Sequence, residues 1–225
     1  MKIIIIFVTL LVVNQVIGSS IETKNETVLL LVRSLSSQLY DFLEYDLREI
    51  MRYGSPVFDP YEQSQQNFQY NDNKLSFKGT FDDFSVENLS YYNVKKADVG
   101  FWTRKVDVDL YFPSILSRGY YDVNFYYGST PYVGKGQYKV NLKGLQIYIE
   151  AWLSIWGGLH VTYLNTYLSL EYFEFSGSNK LLDQNNTLIW NQKISKLVPK
   201  IIKEDHNELA SYISKKLIVF INQNL

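Results

Sequence analysis

Few residues in this chain could do covalent chemistry, and those few are scattered. There is no cysteine, and the only histidines are His160 and His206. Thiolate nucleophiles, disulfides, Cys-ligated zinc and iron–sulfur clusters are excluded together. Two histidines leave little room for a metal site or for a nucleophile activated by a neighbouring base. Glu204-Asp205-His206 is the tempting cluster. Adjacent positions on a helix do not converge on one point, so solvation of a helix face is its expected role. His160 stands beside a turn with no partner given by spacing, which suits a surface or packing role. Gly134-Lys135-Gly136 is a turn signal without the strand, glycine loop and helix that cradle a phosphate. No catalytic residue, metal site or cofactor is expected.

What the chain does carry is long apolar stripes. Between Trp190 and Leu225, apolar residues fall at Ile194, Leu197, Val198, Ile201, Ile202, Leu209, Tyr212, Ile213, Leu217, Phe220 and Ile221. This i, i+3, i+4, i+7 spacing marks one face of a helix of about 30 residues, about 45 Å long. Pro199 falls inside it and is expected to kink or break it there. Residues 22–53 form a second helical pattern, with Val28, Leu31, Val32, Leu35, Leu39, Phe42, Leu43, Leu47, Ile50 and Met51 on its stripe. Gly54-Ser55-Pro56 stops that helix, and an extended polar connector is expected through Asp72.

From Lys74 the period changes to two. Leu75, Phe77, Gly79 and Phe81 alternate with polar residues, and the phase then shifts, which predicts a bulge near Glu87-Asn88. Val106, Val108, Leu110 and Phe112 alternate cleanly until Pro113, the expected strand end. Tyr121, Val123, Phe125 and Tyr127 form the next strand, and 128–136 reads as a turn region. Two unusually long strands, 137–156 and 159–175, are joined at Gly157-Gly158, a pair suited to a tight hairpin. Gly144 marks an expected bend. Helix, antiparallel strands, helix is an α+β plan.

Composition adds boundaries. The 225 residues carry a formal charge of −1, so nucleic acid is not an expected partner. Met1–Gly18 reads as a secretory signal peptide, with Lys2, a short apolar run from Ile3 to Val13, and small residues at the cleavage point. Residues 19–225 are then one domain. Asn25, Asn88 and Asn185 begin glycosylation sequons, which fits export. A secreted chain without disulfides depends on its core alone.

Two surface features admit two readings each. Trp152, Trp156, Tyr163 and Tyr167 near the hairpin either pack at a sheet end or touch a membrane surface. Lys193, Lys196, Lys200 and Lys203 lie on one face of the terminal helix. A solvated face is the plainer reading, and contact with anionic headgroups is the other.

Order and spacing together resemble the takeout and juvenile-hormone-binding proteins of insects, and most closely the mite group-seven allergens. The residues that carry the resemblance are the opening helix, Phe58-Asp59-Pro60, Leu75-Ser76-Phe77-Lys78-Gly79 leading into Val86-Glu87-Asn88-Leu89, and the strand from Lys105 to Phe112. The long hairpin from Gly134 to Phe175 and the closing helix with Trp190-Asn191 and Val198-Pro199 complete it. One departure is the missing cysteine pair near the mature N-terminus of takeout-type proteins, which favours the allergen-like branch over specific juvenile-hormone binding. The resemblance implies a tubular lipid-binding (TULIP-like) fold, a long curved antiparallel sheet wrapped around the N- and C-terminal helices. It implies a hydrophobic tunnel between them and no catalysis.

By strand parity and helix phase, Phe42, Leu110, Phe125, Ile149, Leu197, Ile201 and Ile213 face inward, and they are the candidate tunnel lining. Plain core packing is the competing reading for each. A lipid is a plausible occupant, since about 14 buried methylenes at about 0.8 kcal/mol each gain roughly 11 kcal/mol before ordering costs. The expected partner is a hydrophobic small molecule or lipid, with a membrane surface or an extracellular interaction partner as alternatives.

Overall fold

The computed structural model describes residues 35–71, 74–100, 102–154, 156, 158 and 160–223. The signal-peptide reading, the sequon at Asn25 and the start of the opening helix lie outside the described residues. From residue 35 the opening helix, α1 (35–53), contains a π-helical turn at Phe42–Asp46 and ends in the α-helical segment Leu47–Tyr53. Its buried residues are Leu35, Leu39, Leu43, Leu47 and Met51, each four positions after the last. In a pure α-helix each four-residue step overshoots a full turn by about 40°. The more loosely wound π turn takes back part of that drift and keeps all five on one side.

Six antiparallel strands follow: β1 (Tyr61–Asn71), β2 (Leu75–Glu87), β3 (Asn93–Gly100), β4 (Lys105–Tyr127), β5 (Thr130–Ser154) and β6 (His160–Gly177). Two helices close the chain, α2 (Gln184–Glu204) and α3 (His206–Asn222). The sheet order is β1-β2-β4-β5-β6, with β3 beside β4. β3 pairs with the first half of β4 and β2 with the second half, so the two short strands lie end to end along one long one. The long β4–β5–β6 ribbon coils, as extended ribbons do, and α2 and α3 lie along β6.

Several expectations are corrected. The polar connector before Asp72 is an edge strand, β1, laddered to β2 from Tyr61↔Val86 to Asn71↔Ser76. Its polar composition fits an edge exposed to water. The bulge sits between Asp82 and Ser85 rather than at Glu87-Asn88, with Asp83 at φ 44°. Pro113 does not end its strand. β4 runs through it, because Pro113 falls opposite Gly144, a skipped pair in the β4–β5 ladder where no N–H is needed. Gly144 has φ +65°, and the bend expected there is the same irregularity. The broad turn at 128–136 shrinks to Gly128-Ser129, and β5 begins at Thr130.

The terminal helix starts earlier than its apolar stripe. Asp183 caps it, accepting the Asn186 backbone N–H at 2.8 Å. Helix α2 continues through Pro199, and the break falls at Asp205 (φ −111°, ψ 26°).

Apolar side chains gather in three clusters. The first holds the α1 stripe with Tyr92, Ala97, Phe112 and Ile115. The second joins Phe84, Tyr121, Val123, Phe125, Tyr138 and Val140 to Trp190, Ile194, Leu197 and Ile201 of α2. The third packs Val161 and Leu164 against Ile221 of α3. Phe58-Asp59-Pro60 has a structural use. The Asp59 carboxylate accepts the backbone N–H of Asn88 and of Ser90, each at 2.8 Å, and the Ser90 hydroxyl, which fixes the turn between β2 and β3.

Candidate functional site

The inner face of the sheet does not fill completely. An apolar cavity of about 480 Å³, largely open to solvent, lies between β1, β2, β4, β5 and α3, within the ~300–1,000 Å³ usual for small-molecule sites. Phe77, Phe81, Phe84 and Val86 of β2, Val140 of β5 and Tyr212 of α3 supply most of its wall. Phe68, Gln69 and Tyr70 of β1 form the rim, and the Tyr70 ring meets the Tyr212 ring edge-on at 4.9 Å, joining the sheet edge to the helix. Alternation along β2 puts its phenylalanines inward, and the bulge at Asp82–Ser85 re-aims Phe84 so that it joins them.

Its wall carries a half-buried hydrogen-bonded pair, beside the polar ends of Gln69, Tyr70 and Tyr212 nearer the rim. Ser117 Oγ and Tyr138 Oη lie 3.0 Å apart, and both line the cavity. Burial raises the Tyr138 pKa, so the phenol is neutral and remains a hydrogen-bond donor or acceptor. Neither Lys, Arg, His, Asp nor Glu lines this cavity. A second hollow of about 520 Å³ lies on the outward face, over Asn67, Gln69, Lys78, Thr80, Asp122 and Asn124. It is a polar depression in a solvated sheet face, away from the helices.

The proposed lining residues lie mostly elsewhere. Phe125, Leu197 and Ile201 share the second cluster, next to the cavity wall. Phe42 and Leu110 pack in the first cluster, and Ile149 in the third. Ile213 is half-buried on α3. None of the seven is among the residues that line the cavity. Ser117 falls between the strand end expected at Pro113 and the strand expected from Tyr121, which hid it, whereas Tyr138 lies in the expected 137–156 strand on the parity of Val140 and Leu142 but carries no separate signal of a polar role. Phe77 and Phe81 did show inward parity, and that was the available signal.

The chemistry-bearing cluster is also rearranged. Asp205 is buried, not solvated, and accepts from Lys74 Nζ at 2.7 Å and Tyr127 Oη at 2.9 Å. The ring pairs Trp152–Tyr163 and Tyr148–Tyr167 pack at 5.1 and 5.6 Å, whereas Trp156 is exposed. Lys193, Lys196, Lys200 and Lys203 are all exposed. Asn185 is exposed in the first turn of α2. Asn88 is half-buried at φ 70°, and Ser90 of its sequon is fully buried. No helix among the described residues is long and apolar enough to cross a membrane.

Comparison with solved structures gives the fold. Takeout 1 of Epiphyas postvittana matches with a TM-score of 0.51 at 16% identity, over 87% of this chain and 91% of that one. A lipopolysaccharide binding protein overlaps more loosely, with a TM-score of 0.31 at 10% identity over 81% of this chain and 39% of its own. No curated protein matches in sequence. The architecture is α+β, a long antiparallel sheet with helices laid along it, as in Takeout 1. The model of the haemolymph juvenile hormone binding protein family matches residues 34–225, and the chain belongs to that family.

Proposed function

We propose that this protein is a carrier for a hydrophobic small molecule or lipid, bound in the cavity between the inner sheet face and α3. The observation that carries the reading is a mostly apolar cavity with no charged side chain in its lining and a neutral hydrogen-bonding pair, Ser117–Tyr138, in its wall, in a chain of a hormone-binding family. The wall supplies hydrophobic burial and little else, so binding rather than catalysis is its chemistry. A carboxylate against this wall would meet no cationic side chain and would have to stay at the solvent-open mouth to keep its hydration. The favoured ligand therefore has an apolar body and one uncharged polar group, such as an ester, ketone or alcohol. Export through the secretory pathway completes the reading, with Met1–Gly18 as leader and Asn25, Asn88 and Asn185 as glycan acceptors. Because Ser90 is buried, modification at Asn88 would have to precede folding.

Mass spectrometry of organic extracts from the purified protein, with titration of an apolar fluorophore, tests the carrier reading. Co-purified lipid and saturable micromolar binding are expected. Competition should be strong with a neutral long-chain ester at pH 7, and with the matching fatty acid only when acidification protonates it. Absence of both co-purified lipid and saturable binding would overturn the carrier reading.

A further inference from the structure

At one end of the sheet, β3 turns into β4 beside the turn from β5 into β6. Trp102 and Trp156, one on each turn, are both 76% exposed. The turns are neighbours. Lys105 pairs with Trp152 across the β4–β5 ladder, and the Leu153 backbone N–H donates to the Arg104 carbonyl at 2.8 Å. Just behind them Tyr163, 52% exposed, packs on the Trp152 ring. One exposed indole is ordinary, but two on adjoining turns with a tyrosine behind them form an exposed aromatic patch of the kind that marks a contact surface. Neither stretch 101–104 nor 155–159 contains Asp or Glu, and Arg104 supplies an exposed positive charge.

We propose that this end docks into a lipid–water interface. Tryptophan prefers that boundary because its ring gains apolar burial while its N–H keeps a wet partner. Two exposed indoles on adjoining turns suit shallow insertion between headgroups. They offer far less than the ~800 Å² per partner of a stable protein interface. The absence of carboxylates at the turns removes repulsion from phosphate headgroups, and Arg104 adds attraction. Along β5 the cavity wall at Val140 lies on the order of 45 Å from these turns. A bilayer docked end-on would therefore leave the cavity unobstructed. This inference goes beyond the carrier reading and stands on different residues.

The test uses the intact protein with vesicles of phosphatidylcholine alone and of phosphatidylcholine with phosphatidylserine. Co-sedimentation with both, persisting at high salt and accompanied by a blue shift of tryptophan fluorescence, is expected. The Trp102→Ser/Trp156→Ser double variant should lose at least tenfold in bound fraction while still binding the apolar fluorophore. Lipid brominated near the headgroup should quench the parent protein's fluorescence, a readout that needs no variant. Failure to bind either vesicle, or absence of that quenching, would overturn the proposal. So would binding that requires phosphatidylserine, vanishes in salt and is unchanged in the double variant, since that pattern assigns contact to the lysine face of α2.

Discussion

Asp205 serves two elements with one carboxylate. It terminates α2, and it receives Lys74 from the segment before β2 and Tyr127 from the end of β4. Its own side chain is buried although that of Lys74 is exposed, so removing the charge strands hydrogen-bond donors at a buried point. Asp205→Asn should therefore lower stability by about 2 kcal/mol and Tyr127→Phe by about 1 kcal/mol, read from the midpoints of urea unfolding. A second residue-scale effect is alkaline. Burial pushes the Tyr92 phenol up to about 12, as it does Tyr121. Each is neutral in the folded chain at a pH where the unfolded chain has already ionised it. Stability is thus fully present below pH ~10 and is lost as pH rises toward ~12. Thermal melts from pH 9 to 12 should show this fall, with tyrosinate absorbance rising at unfolding. The role of Asp205 was illegible in the sequence. Adjacent helical positions look solvated when their partners, Lys74 and Tyr127, lie far back in the chain.

At the scale of elements, β5 is governed by Gly144. It has φ +65°, stands opposite Pro113 on one side, and an added Cβ would meet the Glu171 side chain at 2.3 Å. Glu171 is exposed and flexible, so it can move aside, whereas the left-handed backbone cost cannot be relieved. Gly144→Ala should cost about 1–2 kcal/mol, and adding Glu171→Ala should restore little of it, again by urea titration. Helices and long strands were readable because their apolar periods persist over many residues: the α1 stripe, Val106 to Phe112, and the Ile194–Ile201 face. β3 was not readable, since Asn93–Gly100 is mostly polar and gains its place from pairing with β4. β1 was hidden for the same reason. Pro113 misled because the local rule against proline in a ladder has an exception at a skipped pair.

At the scale of the molecule, the sheet and a closing helical stretch followed from element order and from the resemblance, whereas its division at Asp205 and the position of the cavity did not. Parity says which side chains point inward, but not which stretch of the inner face remains unfilled. That depends on where α3 leaves the line of α2, at Asp205, and on the bulge that turns Phe84 inward. The cavity permits a direct test at this scale. Val140→Trp places a large ring against the vacant volume and should reduce binding of an apolar fluorophore at least tenfold in a variant that still folds, at a cost of about 1–3 kcal/mol because Val140 is also packed in the second cluster. If binding is unaffected, the ligand site is not this cavity.

The contact between Tyr70 and Tyr212 also bears on how the molecule is made. Every sheet neighbour except the β2–β4 pair is consecutive in the chain, so the sheet can assemble as a meander while synthesis proceeds. Tyr212 belongs to α3, which emerges after all six strands. Until it arrives, the β2 phenylalanines have only α2 beside them and lack the α3 side of their cover. The nascent protein therefore passes through a stage in which its greasiest surface is partly bare. Whatever apolar molecule is nearby at that stage, ligand or another unfinished chain, competes for the same surface before α3 covers it.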